Sequence, residues 1–291
     1  MKKILITGAN SYLGTSVEKH LARWPENYLV DTVDLQDETW RTKSFCHYDS
    51  VFHVAGIAHQ DDRKINEDAQ KYYRVNTDLA IETASKAKAD GVGQFIFMSS
   101  IIIYGKGARL GETRVITSET KPAPINAYGD SKWLAEKGIM ALQDDSFSVC
   151  VLRAPMIYGP QSKGNYGLLV KGAKWLPFFP DIHNERSMLH IDNLCTYVKK
   201  VIDKKLSGIH FPQDAKYVST TRMVASIAAQ HGKNIRLTRL FNPLLRFLSG
   251  KLNVIDKAFG GLVYDRTMIG RFDPDGASDE QIDRGEHHVE A

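Results

Sequence analysis

Cysteine is scarce in this chain: Cys46, Cys150 and Cys195 are the only three in 291 residues. They are odd in number, far apart and outside any paired spacing, so neither a disulfide framework nor a zinc site is implied, no metal is expected, and a reducing cytosol fits. Long apolar runs are also missing, and no segment reaches the roughly 18 uninterrupted apolar residues of a membrane span. The nearest approach, around 240–252, mixes Phe241, Leu244, Leu245, Phe247 and Leu248 with Arg239, Arg246 and Lys251. It is expected to be an amphipathic helix packed on the domain rather than a helix lying on a membrane. Blocks of like charge are absent as well. The 38 basic and 34 acidic residues are interspersed, which argues against nucleic acid as a partner. No internal repeat is present. Met1-Lys2-Lys3-Ile4-Leu5-Ile6-Thr7-Gly8 runs straight into a strand and a glycine turn, leaving no room for a secretory leader, so a cytoplasmic protein is expected.

What is present is an alternation of short apolar runs with helical patterns. Strands are expected at 3–7, 29–35, 50–54, 94–99 and 148–153, with helices at 13–23, 69–89 and 127–142. Such βαβ units, joined by right-handed crossovers, predict an α/β fold with a doubly wound parallel sheet. From about Gly159 the alternation gives way to loops rich in Gly, Pro and aromatic residues. The reading is a nucleotide-binding domain at 1–158 and a smaller lobe at 159–272, some of whose strands and helices return to the sheet. The acidic stretch 273–291 is read as a flexible tail.

Two features after the early strands concern a bound dinucleotide. Thr7-Gly8-Ala9-Asn10-Ser11-Tyr12-Leu13-Gly14 follows the first strand and opens the first helix, where glycines admit a pyrophosphate and the helix N-terminus offers free N–H groups. Ser11 stands where the middle glycine is usual, so the loop differs or its hydroxyl serves as a donor. Asp34 stands twenty residues after Gly14, where an acid bonds the adenosine ribose and repels a 2′-phosphate, favouring NAD over NADP. Only sixteen residues separate Asp34 from Val51. Asp34 could therefore instead close a third strand and touch the adenine. Val54-Ala55-Gly56 ends a buried-strand run in small residues suited to the nicotinamide-side ribose. His53 reads as a core histidine, His59 as a loop histidine beyond the strand end, and Asn76 as a structural hydrogen-bonder near the cofactor.

The chemistry-bearing constellation is Ser100, within Ser99-Ser100-Ile101-Ile102-Ile103-Tyr104-Gly105, together with Tyr128-Gly129-Asp130-Ser131-Lys132. Of the twelve tyrosines, Tyr128 alone has a lysine four residues on. A phenol can exchange a proton with an alcohol oxygen while a nicotinamide exchanges hydride with its carbon, provided the phenol's pKa falls from about 10. Lys132, on the same helical face, is expected to supply that lowering through its charge.

In these residues the chain resembles the extended short-chain dehydrogenase/reductase superfamily, in its NAD-dependent epimerase/dehydratase branch acting on nucleotide sugars. The resemblance covers about residues 2–270. It rests on the glycine turn, His53-Val54-Ala55-Gly56, Val75-Asn76, the Ser-Ser…Tyr-Gly run, Tyr128…Lys132, Leu152-Arg153-Ala154-Pro155-Met156-Ile157-Tyr158-Gly159-Pro160 and Arg186…His190-Ile191-Asp192-Asn193-Leu194. It implies a Rossmann-like sheet with a small C-terminal substrate-binding lobe, and NAD as cofactor. It also implies Ser100 on the reacting sugar oxygen, Tyr128 as acid/base, Lys132 on the nicotinamide ribose, Pro155 behind the nicotinamide and Arg186 on the nucleotide diphosphate. A guanidinium fork suits that last role.

Departures narrow the expectation. Sugar 4,6-dehydratases carry an Asp-Glu pair after the Ser/Thr; here Ile101 and Ile102 stand there and cannot move protons. Met156 replaces an asparagine usual in UDP-galactose 4-epimerases. The chain is more similar to shorter bacterial enzymes of polysaccharide synthesis acting at C4 of UDP-N-acetylhexosamines. Gln161-Ser162-Lys163-Gly164-Asn165-Tyr166, Leu176-Pro177-Phe178-Phe179-Pro180 and Asn184-Glu185-Arg186-Ser187 resemble that group's substrate loops; the substrate residues the resemblance implies are Ser100, Ile102, Tyr128, Asn165 and Arg186. The resemblance therefore implies a UDP-sugar 4-epimerase passing through a 4-keto sugar. The alternatives are an NAD(P)H-dependent 4-ketoreductase and a non-catalytic dinucleotide sensor. It also implies a homodimer paired through helices 69–89 and 127–142.

Overall fold

The computed structural model describes residues 1–58, 69–162 and 165–270, which form two compact units. The first is assembled from Met1–Gly105, Pro122–Ala154 and Leu194–Pro212. Its centre is a six-stranded parallel sheet of β1 (Lys2–Thr7), β2 (Tyr28–Val33), β3 (Ser50–His53), β4 (Gln94–Ser100), β5 (Ser148–Ala154) and β6 (Gly208–His210). The spatial order is β6-β5-β4-β3-β1-β2, every pair parallel. This is the Rossmann-like α/β fold.

The inner strands are continuous apolar runs because a parallel sheet is covered on both faces. Ile4, Leu5 and Ile6 in β1, Phe95, Ile96 and Phe97 in β4, and Val149, Val151 and Leu152 in β5 have no exposed surface. The chain steps outward from β1 to β2, then crosses to β3 on the other side. That reversal opens a crevice at the C-terminal ends of β1 and β3, where dinucleotides bind in open α/β sheets. Residues 34–49 contain one helical turn, Thr39–Thr42, and no strand. Asp34 therefore follows the second strand, which pairs with β1 at the edge of the sheet, and the third-strand alternative is excluded: a short connection with one helical turn leads straight to β3.

Two helices bring polar groups to this crevice. One runs through Ala69–Tyr72, a π-helical turn Tyr73–Asp78, and Leu79–Ala89. π-Turns are rare and concentrate at functional sites, and this one carries the buried Asn76 and Thr77. The other, Ala127–Met140, starts at the N-cap Asn126, whose side chain accepts from Gly129 N at 2.8 Å.

The second unit comprises Lys106–Lys121, Pro155–Asn193 and Gln213–Ala291. Its strands form three parallel pairs: Thr113–Ile116 with Gly261–Tyr264, Met156–Tyr158 with Met188–His190, and Phe178–Pro180 with Arg236–Thr238. Tyr158, Ala173, Met223, Val224 and Ile227 form a core between its helices Asn165–Trp175 and Thr220–Gln230. The two units interleave along the chain: Leu194–Pro212 belongs to the first and Lys106–Lys121 to the second. Residues 113–116 pair with a strand about 150 residues later, and β6 joins β5, pairings that local periodicity does not specify.

The expected 240–252 helix is the shorter Asn242–Leu248, with Pro243 in its first turn and Gly250, at φ 78°, after its end. Its packing is one-sided. Leu245 and Leu248 rest against Ile182, Ile255 and Phe259, while Leu240, Leu244 and Phe247 are exposed. The tail 273–291 lies outside the described residues.

Candidate active site

At the end of β1, Gly8 adopts φ 84°, and a Cβ there would stand 2.9 Å from Ala55 N. Only glycine allows this turn and this approach together. Asn10 also takes a left-handed conformation, φ 63°. Ser11 is the N-cap of the helix Tyr12–Leu21: its Oγ accepts from Gly14 N at 3.0 Å. The serine that replaces the middle glycine thus closes the helix end, with its oxygen acting as an acceptor. A Cβ on Gly14 would meet Ser11 Oγ at 2.8 Å and Gly8 O at 3.1 Å. Residues Gly8, Asn10, Ser11, Tyr12, Leu13 and Gly14 form a tight cradle at a helix N-terminus, fitted to a pyrophosphate. Asp34 sits one residue beyond β2, its Oδ1 accepting from Gln36 N at 3.0 Å.

The β3 exit is clamped. Asn76 Oδ1 accepts from Ile57 N at 2.9 Å, and its Nδ2 donates to Ile57 O at 3.0 Å and to Ser131 Oγ at 3.2 Å. Gly56 lies against this amide and Lys132: a Cβ there would be 2.9 Å from Asn76 Oδ1 and 3.4 Å from Lys132 Nζ. Val54, Ala55 and Gly56 therefore run past Asn76 and Lys132 as one wall. His53 is fully buried, with Nδ1 3.0 Å from Thr7 Oγ1, and burial pushes it down to about 3, so it is a neutral core group. His59 lies outside the described residues.

Ser100 ends β4 and caps the 3₁₀ turn Ile101–Tyr104, its Oγ accepting from Ile102 N at 3.3 Å. The Tyr128 hydroxyl is hydrogen-bonded to the Ser100 side chain, and the Tyr128 ring lies 6.0 Å from that of Tyr72. Ser100, Tyr128 and Lys132 thus converge at one end of the sheet. Burial pushes the Tyr128 phenol up to about 12; the Ser100 bond opposes this and Tyr72 adds to it. Lys132 is buried too, which pulls its ammonium down to about 8 against the opposing charge of Glu136. Lys132 Nζ donates to Met98 O at 2.9 Å and lies 4.7 Å from the Phe97 ring centre. The lowering of Tyr128 expected from Lys132 is therefore not found. The lysine is directed to β4, and burial dominates the phenol.

Sequence reasoning missed the group beneath these residues. Glu136, four residues after Lys132, forms a buried ion pair with Arg153 of β5, with Arg153 NH2 2.7 Å and Nε 3.0 Å from Glu136 Oε2. Ser99 Oγ also donates to Glu136, and Arg153 NH1 reaches Tyr104 OH at 2.7 Å. The spacing Tyr128, Lys132, Glu136 placed all three on one helical face and was the signal available.

In the second unit, Pro155 is buried directly before the strand Met156–Tyr158. Arg186 exchanges backbone hydrogen bonds with Val218, its guanidinium donates to Lys257 O, and burial pulls its pKa down. Asn165 begins the helix Asn165–Trp175. A cavity of about 550 Å³ in this unit is lined by Tyr158, Gly159, Gln161, Tyr166, His190 and Met223 among others. It gathers part of the 161–166 loop but not Arg186; Lys163 and Gly164 lie outside the described residues.

The order of these parts along the chain decides the family. The family model described as "NAD dependent epimerase/dehydratase family" matches residues 4–212. The chain belongs to that family. NAD is accordingly its cofactor, and the cradle fits the group. Within this family, the chain is 31% identical to a UDP-glucose 4-epimerase of Vibrio cholerae, over 91% of this chain and 87% of that protein. It is 24% identical to an N-acetyl-alpha-D-glucosaminyl-diphospho-ditrans,octacis-undecaprenol 4-epimerase of Escherichia coli O157:H7, over 83% of this chain and 76% of that one. Its fold is similar to that of a UDP-glucuronic acid 4-epimerase of Bacillus cereus solved with NAD, at TM-score 0.69 and 16% identity over 99% and 98% of the two chains.

Proposed function

We propose that this chain is a UDP-sugar 4-epimerase that acts on a UDP-hexose or UDP-N-acetylhexosamine through a transient 4-keto sugar. The carrying observation is the Ser100–Tyr128 hydroxyl pair, one helical turn from the buried Lys132 and at the same end of the sheet as the glycine cradle. The name and near full-length match of the Vibrio cholerae relative support this reading. Ile101 and Ile102 support it over a dehydratase, since neither can relay a proton.

The residues proposed to hold the dinucleotide are Gly8, Asn10, Ser11, Tyr12, Leu13, Gly14, Asp34, Val54, Ala55, Gly56, Asn76, Lys132 and Pro155. The carboxylate of Asp34 disfavours a 2′-phosphate. Bound NAD supplies the hydride acceptor for C4, and later the donor. Tyr128 accepts the proton of the sugar 4-hydroxyl and returns it to O4. Ser100 keeps its hydrogen bond to O4 throughout. A phenol near 12 rests protonated at neutral pH, so accepting that proton requires positive charge beside its oxygen, which oxidised NAD would add when bound. Lys132, tied to Met98 O, fixes the helix turn that aims Tyr128. Arg186 is assigned to the substrate diphosphate, and Ile102 and Asn165 to further substrate contacts. A homodimer through the helices around 69–89 and 127–142, in a reducing compartment where Cys46, Cys150 and Cys195 stay thiols, completes the proposal.

Incubation with a panel of UDP-sugars, with and without NADH, followed by NMR of the C4 configuration, tests the reading. Inversion at C4 without added NADH is expected. Turnover only of 4-keto sugars with added NADH would establish the ketoreductase instead, and NAD binding without turnover of any sugar would leave a sensor. An undecaprenyl-diphosphate-linked N-acetylglucosamine belongs in the panel because of the Escherichia coli relative's name. Light scattering on the eluted protein tests the dimer.

A further inference from the structure

The helix Asn242–Leu248 has two apolar faces, and only one is covered. Leu245 and Leu248 point into the cluster of Ile182, Ile255 and Phe259. Leu240, Leu244 and Phe247, spaced four and three residues apart, are 79%, 57% and 67% exposed, and Phe241, Leu252 and Val254 beside them are exposed too. Large apolar side chains gathered in this way mark an interaction surface.

Along this stretch of chain the side-chain charge is positive, with Asp256 beside it, accepting from Ser249 Oγ at 2.6 Å and Gly250 N at 2.8 Å. From Lys233 to Ile255 the chain carries Lys233, Arg236, Arg239, Arg246 and Lys251 and no Asp or Glu. Of these, Arg239 is neutralised by Asp181 at 2.8 Å. Lys251 Nζ lies 3.7 Å over the Phe247 ring, which keeps one cation on the apolar face itself. The strand Arg236–Thr238 pairs with Phe178–Pro180, setting Arg236 opposite the exposed Phe178. Lys233 Nζ bonds the carbonyls of Lys174 and Leu176 at 2.9 and 2.8 Å, which joins the exposed Trp175 and Leu176 to the same ribbon. Lys171 and Lys174 add exposed cations on the helix before it, and residues 166–178 contain no acid.

We propose that this face, centred on Leu240, Leu244, Phe247 and Trp175 and rimmed by Arg236, Arg246 and Lys251, docks on the surface of an anionic lipid bilayer. Apolar side chains enter the headgroup boundary, the cations meet lipid phosphates, and Trp175 takes the interfacial position that tryptophan favours. Charge complementarity selects this occupant. A second copy of the chain, placed face to face, would set the same cations against each other. This is attachment at the surface: no helix among the described residues is long and apolar enough to cross a membrane. The proposal does not rest on the catalytic reading.

The test is sedimentation of the full chain with vesicles of phosphatidylglycerol and phosphatidylcholine in equal parts, against vesicles of phosphatidylcholine alone. Binding to the anionic vesicles is expected, with a blue shift of tryptophan emission that Trp175→Phe removes. Leu244→Gln with Phe247→Gln should weaken it by about ten-fold or more. Arg246→Gln with Lys251→Gln should weaken it by roughly thirty-fold, taking each lipid-facing cation at its usual worth. All the replaced side chains are exposed, and far-ultraviolet circular dichroism checks the folding of each variant. Absence of vesicle binding by the unaltered protein overturns the proposal. So does binding that the Leu244/Phe247 variant retains in full, which would be charge adsorption alone. A lipid-independent dimer abolished by that variant would assign the face to a second copy and overturn it equally.

Discussion

The Lys132 ammonium is hydrogen-bonded to the main-chain oxygen of Met98 at 2.9 Å, two residues before Ser100. This bond ties the helix that carries Tyr128 to the strand that carries Ser100, so the two hydroxyls meet through main-chain geometry rather than by side-chain chance. It also places a cation in a buried site, at a cost visible in its titration.

That cost sets a pH dependence. Lys132 falls from 10.5 to about 8, so between these values the unfolded chain binds the extra proton, and the penalty is fully present below pH 8 and absent above 10.5. It amounts to roughly 3 kcal/mol. Lys132→Met should therefore melt no lower than the unaltered protein at pH 7 and lose the rise in stability between pH 8 and 10.5, while turnover falls by about 100-fold or more. Denaturant titrations at pH 7, 9 and 10.5 check this; an unchanged slope would refute it.

Tyr128→Phe removes the proton acceptor but not the ring. Turnover should drop by about a thousand-fold while NAD affinity changes only a few-fold. Calorimetric titration beside an activity assay separates the two effects, and an active variant would end the assignment.

Gly8→Ala places a Cβ 2.9 Å from Ala55 N at a φ of 84°. The strain is about 1–2 kcal/mol before the collision is counted, so both melting temperature and NAD affinity should fall. A variant that binds NAD normally would show that this turn is not the cradle.

His53 is neutral in the fold and sits at about 3 rather than 6.5. Its contribution is fully present above pH 6.5 and is lost as pH falls from there toward 3, since the unfolded chain takes up the proton first; the full span is about 4–5 kcal/mol. His53→Asn should flatten the loss of stability between pH 6.5 and 4 in urea titrations. Equal acid sensitivity in both proteins would assign that loss to other groups.

Glu136→Gln leaves Arg153 buried without its counter-charge and should cost about 3–5 kcal/mol, as should Arg153→Met alone. The double replacement should cost clearly less than their sum. Unfolding of all four proteins gives the coupling, and strict additivity would deny it.

The parallel sheet was legible because strands buried on both faces must be apolar throughout, and β1, β4 and β5 read that way. The pairing of Tyr128 with Lys132 was legible because the helical repeat brings positions four apart onto one face, whereas Ser100, at a strand end, was reached through the family resemblance. The same repeat pointed to Glu136, but its partner Arg153 is a strand residue whose direction no local pattern gives. Asp34 was placed near the cofactor by its spacing from Gly14; that it follows an edge strand was decided by pairing. The expected packing of the 240–252 helix was half right, because periodicity shows that a helix has an apolar stripe but not how many stripes find a neighbour.

By itself, the order of residues determined the strand cores, the glycine turn and the spacing of the hydroxyl and ammonium groups, since these depend on contacts within a few residues. Tertiary structure alone decided that Lys132 bonds Met98, that burial rather than Lys132 governs Tyr128, and that Leu240, Leu244 and Phe247 stay uncovered. Desolvation and charge act through space, and what surrounds a side chain comes from segments far away in the chain.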